Sequence, residues 1–262
     1  MTSKKHREAV SVISRYESKY LISRETAQGI RDYIRPVCSP DKHAGPDGLY
    51  TVNNLYFETA DLRFYYDTKF KRFNRFKPRV RYYGDRPEGF LWLELKHKFK
   101  NVTWKTRRSL PVEEWESLFE EAQSNGGGRF IDLRDSFEDA VLRFSASPIV
   151  HVRYVREPYV SDLENYCRIT LDRSLTFRPA HGSFELAAPE GFEGYDDVIT
   201  TSYEEDESPV LLEIKTETEI PFWVVTMIRR FGLQQRGFSK YCYALDRTMA
   251  MARPDARVSV FQ

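Results

Sequence analysis

In several short runs of this chain a charged side chain stands at every second position with an apolar one between. Such a run is satisfied only by a strand with two unlike faces. Within 90–99, Leu91, Leu93 and Leu95 share one face, and Trp92, Glu94, Lys96 and Lys98 share the other. The same spacing sets Val150, Val152 and Tyr154 against His151 and Arg153, and Cys167, Ile169 and Leu171 against Arg168, Thr170 and Asp172. It sets Val210, Leu212 and Ile214 against Glu213 and Lys215, and it pairs Glu17 with Lys19, Arg79 with Arg81, and Lys105 with Arg107. Strands are therefore expected at 13–22, 50–58, 76–84, 90–99, 102–109, 149–157, 166–172 and 209–216, with turn signals such as Gly84-Asp85-Arg86-Pro87-Glu88-Gly89 between them.

Helices interrupt the strands. Ser23 is placed to cap one over 24–35 that Pro36 stops, and Pro111 to open a second with Trp115, Leu118, Phe119 and Ala122 on one side before Asn125 and Gly126–Gly128. A third is expected at 132–145. A fourth begins at Pro221, with Val224, Met227, Ile228 and Phe231 on one face before Gly232, and a last follows Ser239. The acid-rich stretch 183–208 has little periodicity and reads as a long mobile loop. No domain boundary interrupts the pattern, so one domain over 1–262 is expected.

The charged faces decide the architecture. An ordinary sheet with one solvated face would show the same alternation. Here, however, carboxylates and cations mix on one strand as Glu17/Lys19, Glu94/Lys96 and Glu213/Lys215, arginines are frequent, and the opposite faces are apolar enough to lie beneath helices. The expected fold is thus α+β: a closed antiparallel eight-stranded β-barrel, polar inside, with helices packed outside. Its interior would carry nine cations (Lys19, Arg79, Arg81, Lys96, Lys105, Arg107, Arg153, Arg168 and Lys215) against four acids (Glu17, Glu94, Asp172 and Glu213). The net charge of the whole chain is only +1, so this cluster repels itself unless a polyanion fills it. Arginine forks and lysine point charges suit phosphate oxygens, and the carboxylates fit beside phosphate if they hold Mg2+ or Mn2+.

The strings RYESKYLIS (15–23), YTVNNLYFETADLRFYYDTK (50–69), FKPRVRYYG (76–84), LWLELKHK (91–98), VTWKTRR (102–108), CRITLDRSL (167–175), LLEIKTE (211–217) and FSKYCYAL (238–245) carry a family resemblance in their order and spacing. Over about 13–248 the chain resembles the VTC domain in its bacterial form. That is the polyphosphate polymerase domain of the vacuolar transporter chaperone complex, within the CYTH-like triphosphate tunnel metalloenzymes. The resemblance implies transfer of the γ-phosphate of ATP to a growing polyphosphate chain. It implies that Arg79, Arg81, Lys96, Lys105, Arg153, Arg168 and Lys240 contact the phosphates and serve catalysis, that Lys19 belongs to the opening strand of the tunnel, and that Glu213 holds the metal. Glu17 and Glu94 join it as metal-side carboxylates, and Arg107 and Lys215 as further phosphate contacts, from their place on the charged face. One departure is Arg15, which stands where the CYTH signature Glu-x-Glu-x-Lys has its first Glu. Phosphate-sensing and membrane segments that accompany the fungal polymerase are not seen in this sequence.

Two other functions fit the same residues: hydrolysis of inorganic triphosphate or short polyphosphate, and non-catalytic binding of polyphosphate or an inositol phosphate. The near-neutral charge gives no platform for nucleic acid. Cys38, Cys167 and Cys242 form no CxxC pair, and no signal peptide or apolar span is visible. A cytoplasmic protein is expected, with its oligomeric state open. His6, His43, His97, His151 and His181 are scattered and read as structural, as do Trp92 and Trp104. The Gly126–Gly128 run lacks the Lys-Ser/Thr of a P-loop. Lys98 and Lys215 would also suit a solvated tunnel mouth.

Overall fold

All eight expected strands form, and they follow one another in a single sheet. The computed structural model describes residues 16–100, 102–118, 136–186, 190–194, 199–200, 206–207, 209–217 and 219–251. Its strands are β1 (Tyr16–Ile22), β2 (Cys38–Pro40), β3 (Tyr50–Glu58), β4 (Asn74–Tyr83), β5 (Phe90–Phe99), β6 (Val102–Pro111), β7 (Ser147–Ser161), β8 (Cys167–Pro179), β9 (Glu193–Gly194), β10 (Ile199–Thr200), β11 (Asp206–Glu207) and β12 (Val210–Thr216). The sheet order is β1-β12-β8-β7-β3-β4-β5-β6, antiparallel throughout. β2 adds to β7 and β9 to β8, which makes ten strands, and β10 and β11 pair separately.

The expected closed barrel is not what forms. β1 and β6 end the sheet without pairing to each other, so the sheet remains open. It is nevertheless strongly curled. Glu17 of β1 meets Lys96 of β5 at 3.3 Å although five strands lie between them, a separation of about 29 Å in a flat sheet. Closure also meets an obstacle at β1. Segment 233–239 lies against this strand, where the backbone N–H of Arg236 donates to the carbonyl of Lys19 (2.9 Å), a group a closing strand would need.

Among the described residues the helices beside the sheet include α1 (Arg24–Ile34), α2 (Arg63–Lys69), α3 (Phe137–Arg143), α4 (Phe222–Arg230) and α5 (Lys240–Met251). Ser23 caps α1 by accepting from the N–H of Thr26 (3.0 Å), and Pro221 precedes α4, as expected. Pro111, expected to start a helix, instead ends β6. A 3-10 turn (Val112–Glu114) and helical residues 115–118 follow, while Ala122 and the Gly126–Gly128 stop lie outside the described residues. Of the helix expected at 132–145 the described part is α3, and of the strand expected from 13 the described part starts at Tyr16. Among the described residues of 183–208, β9, β10 and β11 are two-residue pairings.

The apolar residues settle which face turns inward. On the convex side Ala27, Ile30 and Ile34 of α1 and Val224 and Met227 of α4 pack on Tyr20, Ile169, Leu171, Leu212 and Ile214. Further along, Phe64, Trp115, Phe137 and Val141 cover Leu55, Phe57, Val80, Leu91 and Leu93. A third cluster lies inside the curl, where Tyr241, Cys242, Ala244 and Leu245 of α5 pack on Val52, Tyr56, Val150, Val152 and Tyr154. Burial of these side chains stabilises each contact by roughly 1.5–3 kcal/mol per large residue.

One buried carboxylate fastens α2 and α5 to the sheet. Glu58, 1% exposed, accepts from the backbone N–H groups of Thr59 (2.8 Å), Phe64 (3.0 Å) and Tyr65 (2.8 Å), and from the hydroxyl of Tyr241. Its replacement by Ala strands those donors away from water, at about 1–3 kcal/mol each before relaxation. Glu58→Ala is expected to lower stability by at least about 2 kcal/mol, read as a drop in the urea midpoint at unchanged slope. An unmoved midpoint would show that the carboxylate does not fasten the helices.

Candidate functional site

Because α1, α3 and α4 cover the apolar faces of their strands from outside, the alternate residues of those strands point into the curl. Across strands Glu17 stands opposite Lys215, Lys19 opposite Glu213, Lys215 opposite Arg168, and Arg156 opposite Asp172. On the other flank Arg79 faces Glu94, Glu94 faces Arg107, and Lys77, Lys96 and Lys105 stand abreast on β4, β5 and β6. Directly opposed side chains start about 4.5–5.5 Å apart, so three lysines in a row repel one another.

Carboxylates hold this face together. Glu94, 1% exposed, accepts from Arg79 Nε (2.8 Å) and from Lys105 Nζ (3.0 Å). Arg79 Nη2, Arg107 Nε and Arg81 Nη1 lie 2.7, 3.3 and 4.0 Å from it. Arg107 is further placed by Trp92, whose ring centre lies 3.4 Å from its guanidinium carbon. Glu213 lies 3.0 Å from Lys215, 3.4 Å from Lys19, 3.4 Å from Lys240 and 3.6 Å from Arg156. Asp172 accepts from Arg156 twice (2.6 and 2.7 Å) and from Lys240 (2.6 Å), and Glu17 joins Lys19 (3.2 Å) to Lys96 (3.3 Å). With Lys77, ten cations here face four carboxylates.

The titration of these groups reflects that surplus. Burial alone would raise the carboxyl of Glu94, but Arg79, Arg81, Lys105 and Arg107 outweigh it and hold it well below the usual carboxylate range. Glu213 is likewise held well below that range against burial by Lys215, Lys19, Lys240 and Arg156. Two of the lysines are also brought down, toward their neutral form, because burial outweighs the carboxylate they can reach. Burial brings Lys105 down to about 8 despite Glu94, and burial with Lys96, Lys19 and Arg75 nearby brings Lys77 to about 7.

Of the residues singled out in the sequence, Lys19, Arg79, Arg81, Lys96, Lys105, Arg107, Lys215, Lys240, Glu17, Glu94 and Glu213 come together on this face. Arg168 shares the face but sits toward one end, where it pairs with Asp41. Arg153 does not join them: it stands beside His151 on the convex side and pairs with the exposed Asp85. The reason is α5, whose apolar face draws Val150, Val152 and Tyr154 inward and thereby turns Arg153 outward. Two residues that sequence reasoning passed over belong to the face. Lys77 precedes Arg79 and Arg81 in the same two-residue phase, which was a readable signal; Arg156 shares its phase with apolar neighbours, which hid it.

His97 and His151 take no part, and His6 lies outside the described residues. His97 is buried on the leucine side, stacked on Trp104 with ring centres 4.8 Å apart, and burial beside Arg178 brings His151 down to about 4. Among the described residues no group of three or more His, Cys, Asp or Glu could hold a metal unaided. Glu17 and Glu213 nevertheless converge on the Lys19 ammonium, at 3.2 and 3.4 Å. Two carboxylates completed by phosphate oxygens and water are a donor set that Mg2+ or Mn2+ accepts. Glu94, enclosed by four cations, is placed to balance charge. A cavity of about 790 Å³ opens beside this face, lined by Glu17, Lys19, Lys77, Lys96 and Ser239, among others.

Comparison with known proteins places these features in a family. The model of the family described as "VTC domain" matches residues 14–249. The chain is also similar to a solved structure from Bacillus halodurans, described as a candidate adenylate cyclase, at 15% identity and a TM-score of 0.47, covering 87% of this chain and 96% of that one. A solved protein from Pyrococcus horikoshii is similar at 13% identity and a TM-score of 0.47, covering 89% and 99%. No curated protein matches. No helix among the described residues is long and apolar enough to cross a membrane.

The enclosure of Glu94 yields a stability test. Glu94→Gln leaves Arg79, Arg81, Lys105 and Arg107 without their shared anion, and breaking such a buried cluster is expected to cost about 3–5 kcal/mol at pH 7. The sign of the pH effect follows from the depressed carboxyl. Its stabilisation is complete above the unfolded value of about 4.3 and is lost as pH falls toward the lower folded value, so the variant should show a shallower acid decline. Urea titrations from pH 7 to pH 3 measure both effects. Equal stability at pH 7 would contradict the role given to Glu94.

Proposed function

The chain belongs to the VTC domain family, and on that premise we propose that it is a metal-dependent polyphosphate polymerase, moving the γ-phosphate of ATP onto the end of a polyphosphate chain within the curl of the sheet. The observation that carries this reading is the inward face itself, where ten cations outnumber four carboxylates with no histidine among them. An oligophosphate supplies the charge this face lacks.

The reaction asks little covalent chemistry of the protein. An oxygen of the acceptor's terminal phosphate attacks the γ-phosphorus of ATP, the bond from that phosphorus to the bridging β–γ oxygen breaks, and ADP leaves with the electron pair. The acceptor oxygen is already ionised near neutral pH, the second phosphate pKa being about 6, so no general base is needed. This accounts for a site built without histidine. Arg79 and Arg81 offer paired N–H groups to equatorial phosphate oxygens, while Lys19, Lys96, Lys105 and Lys240 bring point charge to the transferred group and its neighbours. Arg107 and Lys215 extend the same lining, and Arg168 lies toward its end. Arg153, on the convex side, has no part in this assignment. Glu17 and Glu213 would hold Mg2+ or Mn2+, and such an ion, when bound, offsets charge on phosphate oxygens. Without substrate the same carboxylates hold the cations in place.

Incubation with ATP and Mn2+ tests the reading. Long polymer with ADP is expected; free phosphate alone would indicate a triphosphate hydrolase, and neither product a binding module. Glu213→Gln keeps the shape and removes the charge, so turnover should fall by about 10² or more, a transition-state loss of roughly 3 kcal/mol. Binding of tripolyphosphate without metal should persist or tighten. Turnover within a few-fold of the unsubstituted protein would remove Glu213 from the metal site.

A further inference from the structure

We propose that the outer part of the cavity is a second binding site for a phosphate chain, one that captures the chain without a divalent metal, with Lys77 at its inner end. The proposal rests on the oligophosphate reading above and goes beyond it by dividing the site in two. In the inner part the cations are paired: Arg79, Lys105 and Arg107 with Glu94, Arg156 and Lys240 with Asp172, Lys215 with Glu213. A phosphate arriving there shares its cations with the carboxylates or is joined to them by a metal.

The outer part is built differently. Lys69, Lys71, Arg75, Lys77, Lys98 and Arg236 line it. Asp246 is the acid on that side, and Lys69 (2.7 Å) and the hydroxyl of Tyr65 already hold it. The wall's other acid, Glu17, is held by Lys19 and Lys96. Lys77 reaches Ser239 Oγ at 3.2 Å, lies 5.8 Å from the ring centre of Tyr241, and has no carboxylate within 4.0 Å among the described residues. Arg75 stands opposite Lys98 on the neighbouring strand, and Arg236 is anchored by its backbone bond to Lys19. Unlike the inner cations, Lys77 can therefore take a phosphate without sharing its charge with a carboxylate. Burial pulls its ammonium toward neutrality, a cost an adjacent phosphate would remove. The whole cavity of about 790 Å³, which this outer part shares with Glu17, Lys19 and Lys96, gives a chain of several phosphates room to run from the rim past Lys77.

Binding measured by calorimetry in excess EDTA, with tripolyphosphate and with long-chain polyphosphate, decides the matter. Binding of both without metal is expected, with long chains weakened at least tenfold by Lys77→Met and by the double variant Lys71→Ala/Arg75→Ala, and not weakened by Glu213→Gln. The double variant changes residues at the rim, so the test stands even if Lys77→Met does not fold. Binding that appears only when Mn2+ is added would overturn the capture site, while the polymerase reading would still be decided by the product formed from ATP and Mn2+. Equal affinity of the rim variants would do the same. If no oligophosphate bound with or without metal, both readings would fall.

Discussion

The structure depends on how a crowd of like charges is held inside one curled sheet. Lys77, Lys96 and Lys105 stand abreast on adjacent strands, and Arg79, Arg81 and Arg107 surround Glu94 beside them. At close range in a partly dry interior such repulsion costs several kcal/mol unless negative charge is interleaved. Four carboxylates supply some of that charge: Glu94 and Asp172 meet their cations across elements, while Glu17 and Glu213 also pair with Lys19 and Lys215 two residues along their own strands. Glu17 and Lys96 are far apart in sequence and in sheet order, yet they meet because the sheet curls. The incomplete neutralisation leaves the face with a surplus of positive charge, and the proposed phosphate binding rests on that surplus.

Packing and chemistry are linked here through α5. Its side chains Tyr241, Ala244 and Leu245 fill part of the concavity, while Lys240 at its start reaches Asp172 (2.6 Å) and Glu213 (3.4 Å). Ser239 at its head accepts from Lys77, and Lys240 beside it donates to Asp172, so one helix start touches both the inner cluster and the outer cavity. Glu58 and Tyr241 fix the helix against α2, which makes the position of Lys240 a consequence of a buried hydrogen-bond network elsewhere.

Much of this was legible in the sequence, for a physical reason. A period of two is unambiguous where leucine alternates with charge, so β5 and the inward set Glu94, Lys96 and Lys98 could be read residue by residue. Closure could not. A closed barrel and a curled open sheet require the same alternation, and segment 233–239, which lies against β1, carries no periodic signal. Arg153 shows the other limit: alternation says which residues share a face, but not which face a helix will cover. Arg156 stayed hidden because it follows Val150, Val152 and Tyr154 in phase, and the opposite Asp172 revealed its role only through register.

The central claim is that this inward face is shaped for a chain of phosphates rather than for anions in general. Thermal unfolding with tripolyphosphate, set against sulfate at matched ionic strength, tests it most directly. At a hundred times its Kd a ligand adds about 2.7 kcal/mol, which for a chain of this size raises Tm by about 5–10 °C. The account predicts a rise of that order with tripolyphosphate, eroded as salt is added, and little with sulfate. A rise of equal size with sulfate, or none with tripolyphosphate, would contradict it.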